Sequence, residues 1–520
     1  MSEHADLRRI DALNAGGRYE EAAELAERAA RAGPSLRVSL KLVSIYLRLG
    51  RYRDARRTTR QAMVCKPSAP EELLELCKRL LSFQFSHEVV QLASRQLAKP
   101  QWSAALEAEL AVLLSMAGAQ EIAVRLLDRA TRSLGLTPAS LYNRSQLHMY
   151  FGEADKAEAD LRRCLQQDPR SAKAYWALGK LGSVLLSESE LAALEALSRQ
   201  GTQDPQNEVF ALFALFSFHD RADRTEQAWA ALERGCVLKR KSVDFDSQRS
   251  RQLFDGLVSE PFSGLPPATP VGADSGITPI FVVGMHRSGT TLLERILGGH
   301  SEVQEAGELY DFPAQLRWAI ARHFNGPTDI AVLEQLRSIN FPEVGKNYLA
   351  SVAWRAKGHR FLVDKLPSNF LNVGYIRQSL PGSKVIHMRR EAMDTCFSNL
   401  KELFSNACAY SYDQVELADY YAQYRRLMEH WKQVAPEFIL DVSYEELARD
   451  PHGQAERILA FCGLDWEPGC IEAGGNARAV NTASSAQVRE PIHQRGIGAW
   501  RRYQTHLGPL AARLEAHGLA

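Results

Sequence analysis

The chain has 520 residues, 63 Lys and Arg against 62 Asp and Glu, a formal net charge of +1 and 45% hydrophobic residues. That length exceeds one domain and supplies full cores, and the charge balance excludes a broad electrostatic footprint for nucleic acid, so any anion site must be local. The start, MSEHADLRR, lacks the apolar stretch of a secretory signal, and no run reaches the roughly 18 apolar residues that span a bilayer. The eight cysteines are scattered without a C-x-x-C or zinc spacing, which predicts reduced thiols in a cytoplasmic protein with no metal site.

The N-terminal half repeats. Gly17-Arg-Tyr-Glu-Glu-Ala22 recurs 33 residues later as Gly50-Arg-Tyr-Arg-Asp-Ala55. Weaker copies start at Gly118 and Gly152, and an eroded one lies between Gly50 and Gly118 at Phe85–Val90. Prolines 34, 67, 100, 138 and 169 punctuate the same register. A glycine at a helix-helix turn, an alanine at a close helix contact and a proline after the second helix resemble tetratricopeptide repeats, with Asp168–Gly179 the best match to their first helix. The pattern degrades after Gly179, and a further helix pair is expected over Glu208–Phe218 and Arg224–Gly235, its first member apolar on most faces. Such repeats imply an α-solenoid, acting either as a protein-binding groove or as a scaffold. The charged run Arg51–Arg57 reads as a solvated helix face.

The Pro-, Gly- and Ser-rich stretch Glu260–Thr278 closes this region. We place the solenoid at 1–255, a linker at 256–278 and a second domain at 279–520. Beyond the linker, short apolar runs at Ile280–Val283, Phe361–Val363, Lys384–Met388 and Phe438–Val442 alternate with helical segments. That alternation predicts an α/β domain with a parallel sheet and ligands at the carboxyl ends of its strands.

The chemistry concentrates in two elements. In the first, the run Pro279–Val283 breaks at Gly284 into Met-His-Arg-Ser-Gly-Thr-Thr, and a helix starts near Thr290. This strand-loop-helix suits an anion on the helix N-terminus, held by the loop amides from Arg287 to Thr291, the Arg287 guanidinium and the hydroxyls of Thr290 and Thr291. The Gly-x4-Gly spacing of a phosphate-binding loop runs from Gly284 to Gly289, but Thr290 stands where the nucleotidase lysine would be. In the second element, the strand Lys384–Met388 delivers Arg389 and Arg390, with Ser398 on the following helix, a guanidinium-hydroxyl pair suited to a second phosphate.

Together these elements resemble the sulfotransferase superfamily over about Thr278–Tyr503, most closely bacterial tetratricopeptide-repeat sulfotransferases and, more distantly, protein-tyrosine sulfotransferases. The resemblance implies 3′-phosphoadenosine 5′-phosphosulfate (PAPS) as sulfuryl donor, with no metal. Residues His286, Arg287, Ser288, Gly289, Thr290 and Thr291 would hold its phosphosulfate; Arg390 and Ser398 would hold its 3′-phosphate. In Glu305-Ala-Gly-Glu-Leu309, Glu308 matches the general base of the tyrosine sulfotransferases, with Glu305, His300 and His387 as rivals. Lys365, after the run Phe361-Leu-Val-Asp, would stabilise the leaving phosphate. Tyr444 matches a nucleotide-contacting tyrosine, and Ser484, or its neighbour Ser485, matches a serine that stabilises the transition state. Gln494–Trp500 echoes a glycine loop of cytosolic sulfotransferases, one residue shorter, and makes Arg495 a candidate 3′-phosphate ligand.

The implied reaction is in-line sulfuryl transfer to a hydroxyl, with a peptide tyrosine, a sugar or a small molecule as acceptor and the solenoid as a candidate presenter. The competing readings are a P-loop kinase or NTPase, opposed by the absent loop lysine, and a non-catalytic repeat adaptor with a vestigial second domain. Oligomeric state is not readable from the sequence.

Overall fold

The computed structural model describes residues 3–519 apart from 66, 68, 98–101, 135–136, 183, 200–203, 260–261, 263–264, 266–275, 405 and 472–491. These residues gather into two compact units: Met1–Leu136 with Tyr310–Asn340 and Ala350–Trp354, and Thr137–Leu309 with Phe341–Leu349 and Arg355–Ala520. No described helix is long and apolar enough to cross a membrane.

The first unit contains the helix pairs Glu3–Ala15 with Tyr19–Ala32, Leu36–Arg48 with Tyr52–Gln61, Pro70–Ser82 with Ser86–Leu97, and Ala104–Met116 with Gln120–Leu134. The repeat signature has the predicted physical basis. Gly17, Gly50 and Gly118 turn between paired helices with φ of 73°, 70° and 85°. Ala22, Ala55 and Ala123 are fully buried. In the eroded third pair Gln84 itself takes φ 59° and Val89 fills the alanine position, so the turn survives the loss of its glycine.

Residues 310–340 join this unit from between two strands of the sheet and bring the helix Asp311–Ala319. Here the run Arg51–Arg57 is a solvated face in part, with Arg53 and Arg57 exposed, and it also meets an indole. Arg53, Arg56 and Arg57 surround the Trp318 indole, their guanidinium carbons 5.6, 5.1 and 5.5 Å from its ring centre. Arg53 also donates to the carbonyls of Trp318 and Ala319 at 2.9 and 2.6 Å, which caps the carboxyl end of that helix with positive charge. Burial pushes the Arg56 guanidinium below its ordinary pKa. The arginine spacing that reads as solvation is a cation–π clamp because an indole distant in sequence covers it.

The second unit continues with the pairs Pro138–Phe151 with Ala154–Gln167, Ala172–Lys180 with Glu188–Leu197, and Pro205–Arg221 with Thr225–Ser242, then the helix Ser247–Ser259. The apolar helix Pro205–Arg221 is buried on most faces, as its composition implies: it packs on Thr225–Ser242, and its Phe213 and Phe216 rings meet Tyr412 and Tyr503. Five parallel strands follow: β1 (Thr278–Gly284), β2 (Val303–Glu305), β3 (Phe361–Asp364), β4 (Lys384–Arg389) and β5 (Ile439–Ser443), in the order β2-β3-β1-β4-β5. Strand β1 is central, covered on both faces, and buried from Pro279 onward, which explains its unbroken apolar run. The edge strand β5 carries the half-exposed Asp441 and Ser443.

Replacing Trp318 by Ala removes a large ring and the seat of three guanidinium groups. We expect a loss of about 3 kcal/mol from the first unit, read as a lower thermal midpoint; an unchanged midpoint would mean the clamp contributes nothing.

Candidate active site

Because all five strands run the same way, their carboxyl ends share one edge, and each delivers a candidate residue there. The loop 284–291 follows β1, Glu308 follows β2, Lys365 follows β3, Arg390 follows β4 and Tyr444 follows β5.

The helix after the loop starts at Thr290, as the sequence predicts, with Thr290 and Thr291 buried in its first turn, the positive end of the helix. Arg287 takes φ 66°, and its Nε donates to the Ser398 hydroxyl at 3.4 Å, so the two elements expected to bind anions meet. Asn399, which the sequence reading missed, donates to the His286 carbonyl at 2.6 Å and pins the loop to the helix Ala392–Leu400. Burial holds the His286 imidazole down at about 4, so it is neutral near pH 7, and its Nδ1 lies 3.3 Å from the Tyr410 hydroxyl.

Arg390 lies under the loop. Its Nη1 donates to the Arg287 carbonyl at 3.0 Å and its Nη2 to the Gly496 carbonyl, while its guanidinium lies 4.9 Å from the Tyr444 ring centre. Tyr444 in turn presses on the loop: a Cβ on Gly289, where φ is 105°, would stand 2.6 Å from the tyrosine ring. The Gly498 amide donates to Asp394 at 2.7 Å. The glycine loop 494–498 therefore closes over Arg390 through main-chain groups, whereas the Arg495 side chain is exposed. Ser484 and Ser485 lie outside the described residues.

Beside the loop is a charged cluster. Lys365 is buried, and its ammonium donates to Glu308 at 2.8 Å and lies 3.7 Å from Glu294. Glu294 also accepts from the Gly307 amide at 3.0 Å, which fixes the turn that carries Glu308. The three charges answer one another. Burial alone would lower the Lys365 pKa, but the two carboxylates raise it. Burial pushes Glu308 up, and Lys365 outweighs it and holds the carboxyl below its ordinary value. For Glu294 burial wins and the pKa rises. The sequence holds a signal for Glu294: it sits three and four residues after Thr291 and Thr290, on the helix face they share.

The rival bases are engaged elsewhere. His300 Nε2 meets the Asp465 carbonyl at 3.0 Å and its Nδ1 accepts from the Glu302 amide. His387 is buried between Asp441 and Tyr424, at 2.8 and 2.5 Å. The Glu305 side chain lies over Gly298, where it fills the space a Cβ would need.

Residues 279–468 match the sulfotransferase family model. Over these residues the chain is similar to the sulfotransferase family. Among its relatives, an uncharacterized protein of Aquifex aeolicus is 32% identical over 304 residues, covering 55% of this chain and 38% of that protein. The chain thus spans less than half of that relative's length. A putative protein-tyrosine sulfotransferase of Caenorhabditis briggsae is 26% identical over 42% of this chain and 80% of that one, and the Gallus gallus protein-tyrosine sulfotransferase 2 is 23% identical over 45% and 68%. Among solved structures, the sulfotransferase domain of the Synechococcus PCC 7002 olefin synthase aligns over 43% of this chain and 88% of its own at 21% identity, with a TM-score of 0.32. The C-terminal part of a TPR repeat-containing protein of Cytophaga hutchinsonii aligns over 45% and 95% at 15% identity, with a TM-score of 0.33.

In the sulfotransferase domain, Lys365→Met would leave Glu308 and Glu294 without their cation. We expect about 3 kcal/mol of destabilisation at pH 7. Because the folded pKa of Glu308 is depressed, its share of the pair's stability is present above the ordinary carboxylate value and lost below it. The deficit of the variant, measured by denaturation across pH, should therefore shrink as the solution is acidified through that range; a deficit constant from pH 7 to pH 3 would show that the pair is not its source.

Proposed function

We propose that this protein transfers a sulfuryl group from PAPS to a hydroxyl acceptor, with residues 279–520 as the catalytic part, 1–255 as the repeat region and 256–278 as the link. The observation that carries the reading is the Glu308–Lys365 pair beside an anion-binding loop that has no lysine of its own. A hydroxyl attacking sulfur must release a proton, and Glu308, held ionised and still partly exposed, is positioned to take it. Protonation cancels the charge that restrains Lys365. The ammonium is then released toward negative charge growing beside the loop, so proton removal and leaving-group stabilisation are coupled in one contact.

The donor fits the residues present. Arg390 Nε and Ser288 Oγ are buried without a hydrogen-bond partner among the described residues, two unused donors. When bound, PAPS supplies the activated sulfuryl group and leaves as 3′,5′-phosphoadenosine (PAP). Arg287 and the amides around Gly289, Thr290 and Thr291 would hold the phosphosulfate, with His286 shaping the loop; Arg390 and Ser398 would take the 3′-phosphate. Tyr444, stacked between Arg390 and Gly289, would flank the nucleotide. We keep Arg495 as a 3′-phosphate ligand and Ser484 as a transition-state donor on family resemblance alone.

A peptide tyrosine is the acceptor we favour, supported by the relatives named as protein-tyrosine sulfotransferases and by the shared Gly-Glu pattern at Gly307-Glu308. The eight unpaired, buried cysteines suit a reducing compartment such as the cytoplasm.

Labelled PAPS and a panel of tyrosine peptides, sugars and small phenols test this reading. We expect label on a tyrosine peptide, and a loss on the order of 10²-fold or more in rate for Glu308→Gln, with PAP affinity kept. Transfer by Glu308→Gln at the wild-type rate would remove the base assignment.

A further inference from the structure

The repeat region reaches the donor loop through two side chains. Lys180 ends the helix Ala172–Lys180, the segment that matches the repeat pattern best. Its ammonium donates to Glu402 Oε1, and the other oxygen of Glu402 lies 3.9 Å from Arg287 Nη1. The Lys180 ammonium also lies 4.7 Å from the Trp176 ring centre. Glu402 is buried and follows the helix Ala392–Leu400, which carries Ser398 and Asn399, the two residues that touch the loop. The surrounding packing is continuous: Cys236 approaches the Leu400 carbonyl at 3.5 Å, and Arg240 pairs with Glu416 at 2.6 Å.

We infer that Lys180 is a positioning residue of the donor site: it neutralises Glu402 so that this carboxylate orients Arg287 without capturing it. The inference rests on the reading of Arg287 as a donor ligand. A buried carboxylate beside a single arginine would compete with the donor's phosphosulfate for that guanidinium, because both are anions seeking the same fork of N–H groups. A second cation on Glu402 divides its pull. Arg287 then stays aligned through Ser398 and a weakened Glu402 contact, and it can exchange that contact for the donor at low cost. Lys401, next in sequence, adds positive charge near Glu402 but points its ammonium at the Phe397 ring, 5.2 Å from its centre, so Lys180 supplies the direct hydrogen bond. Fusion of the repeats to the sulfotransferase domain thus has a chemical consequence in the donor site itself.

The test is calorimetric PAP binding to the full chain in the wild type, Lys180→Met, Lys180→Arg and Lys180→Met/Glu402→Gln. Lys180→Met should bind PAP about tenfold more weakly, the factor that about 1.4 kcal/mol of added Glu402–Arg287 attraction produces. Lys180→Arg keeps the charge and should stay close to the wild type. Removing the competing carboxylate as well, in the double variant, should restore most of the affinity, which a merely structural role for Lys180 would not predict. If Lys180→Met does not fold, Lys180→Gln carries the same expectation. Wild-type PAP affinity in Lys180→Met, or no recovery in the double variant, overturns the inference while leaving the donor reading intact. A wild-type protein that does not bind PAP overturns both.

Discussion

A parallel sheet sends the carboxyl end of every strand to the same edge, and this constraint organises the candidate site. With β1 in the middle, its loop is flanked by the ends of β3 and β4, and the outer strands β2 and β5 add one residue each. The loop sequence has no lysine, and the neighbouring strand β3 delivers Lys365 to the same edge. The arginine expected to hold a second phosphate arrives from the other neighbour. The fold brings cations to both flanks of one anion-binding turn without requiring them in one motif.

Burial sets the electrostatics of that edge. An ammonium as enclosed as Lys365 needs counter-charge, and Glu308 and Glu294 provide it in unequal roles. Glu294 is enclosed and tied to the Gly307 amide, so it shapes the turn. Glu308 remains over a third exposed and can meet an acceptor. On the opposite flank Arg390 donates through Nη1 and Nη2 to the main-chain carbonyls of Arg287 and Gly496, and Asp394 lies 3.9 Å from Nη2.

What could be read from the sequence was what is encoded locally. The strand Thr278–Gly284, the loop and the helix start at Thr290 follow from an apolar run, two glycines and the residues between them, and the repeat turns follow from Gly17, Gly50 and Gly118. The Glu308–Lys365 contact was not legible as a contact, because it depends on β2 lying beside β3, and strand order is not written in either segment. Asn399 and Glu294 were missed for the same reason: each acts on a loop or turn from a different element. The arginines of 51–57 were read as solvated, which holds for the exposed Arg53 and Arg57, but their contact with an indole more than 250 residues away was not legible. Gln84 shows a tertiary override: a turn held by its neighbours keeps a left-handed residue even without glycine.

The central claim is that the carboxyl edge of the sheet holds two anionic groups of one nucleotide, one on the loop and one on Arg390 with Ser398. The direct measurement is calorimetric comparison of PAP, adenosine 5′-phosphate and ATP on the wild type and on Arg390→Ala. The account predicts that the wild type binds PAP far more tightly than adenosine 5′-phosphate, and that Arg390→Ala abolishes most of that difference. Equal binding of the two nucleotides by the wild type, or selective binding of ATP, would contradict it.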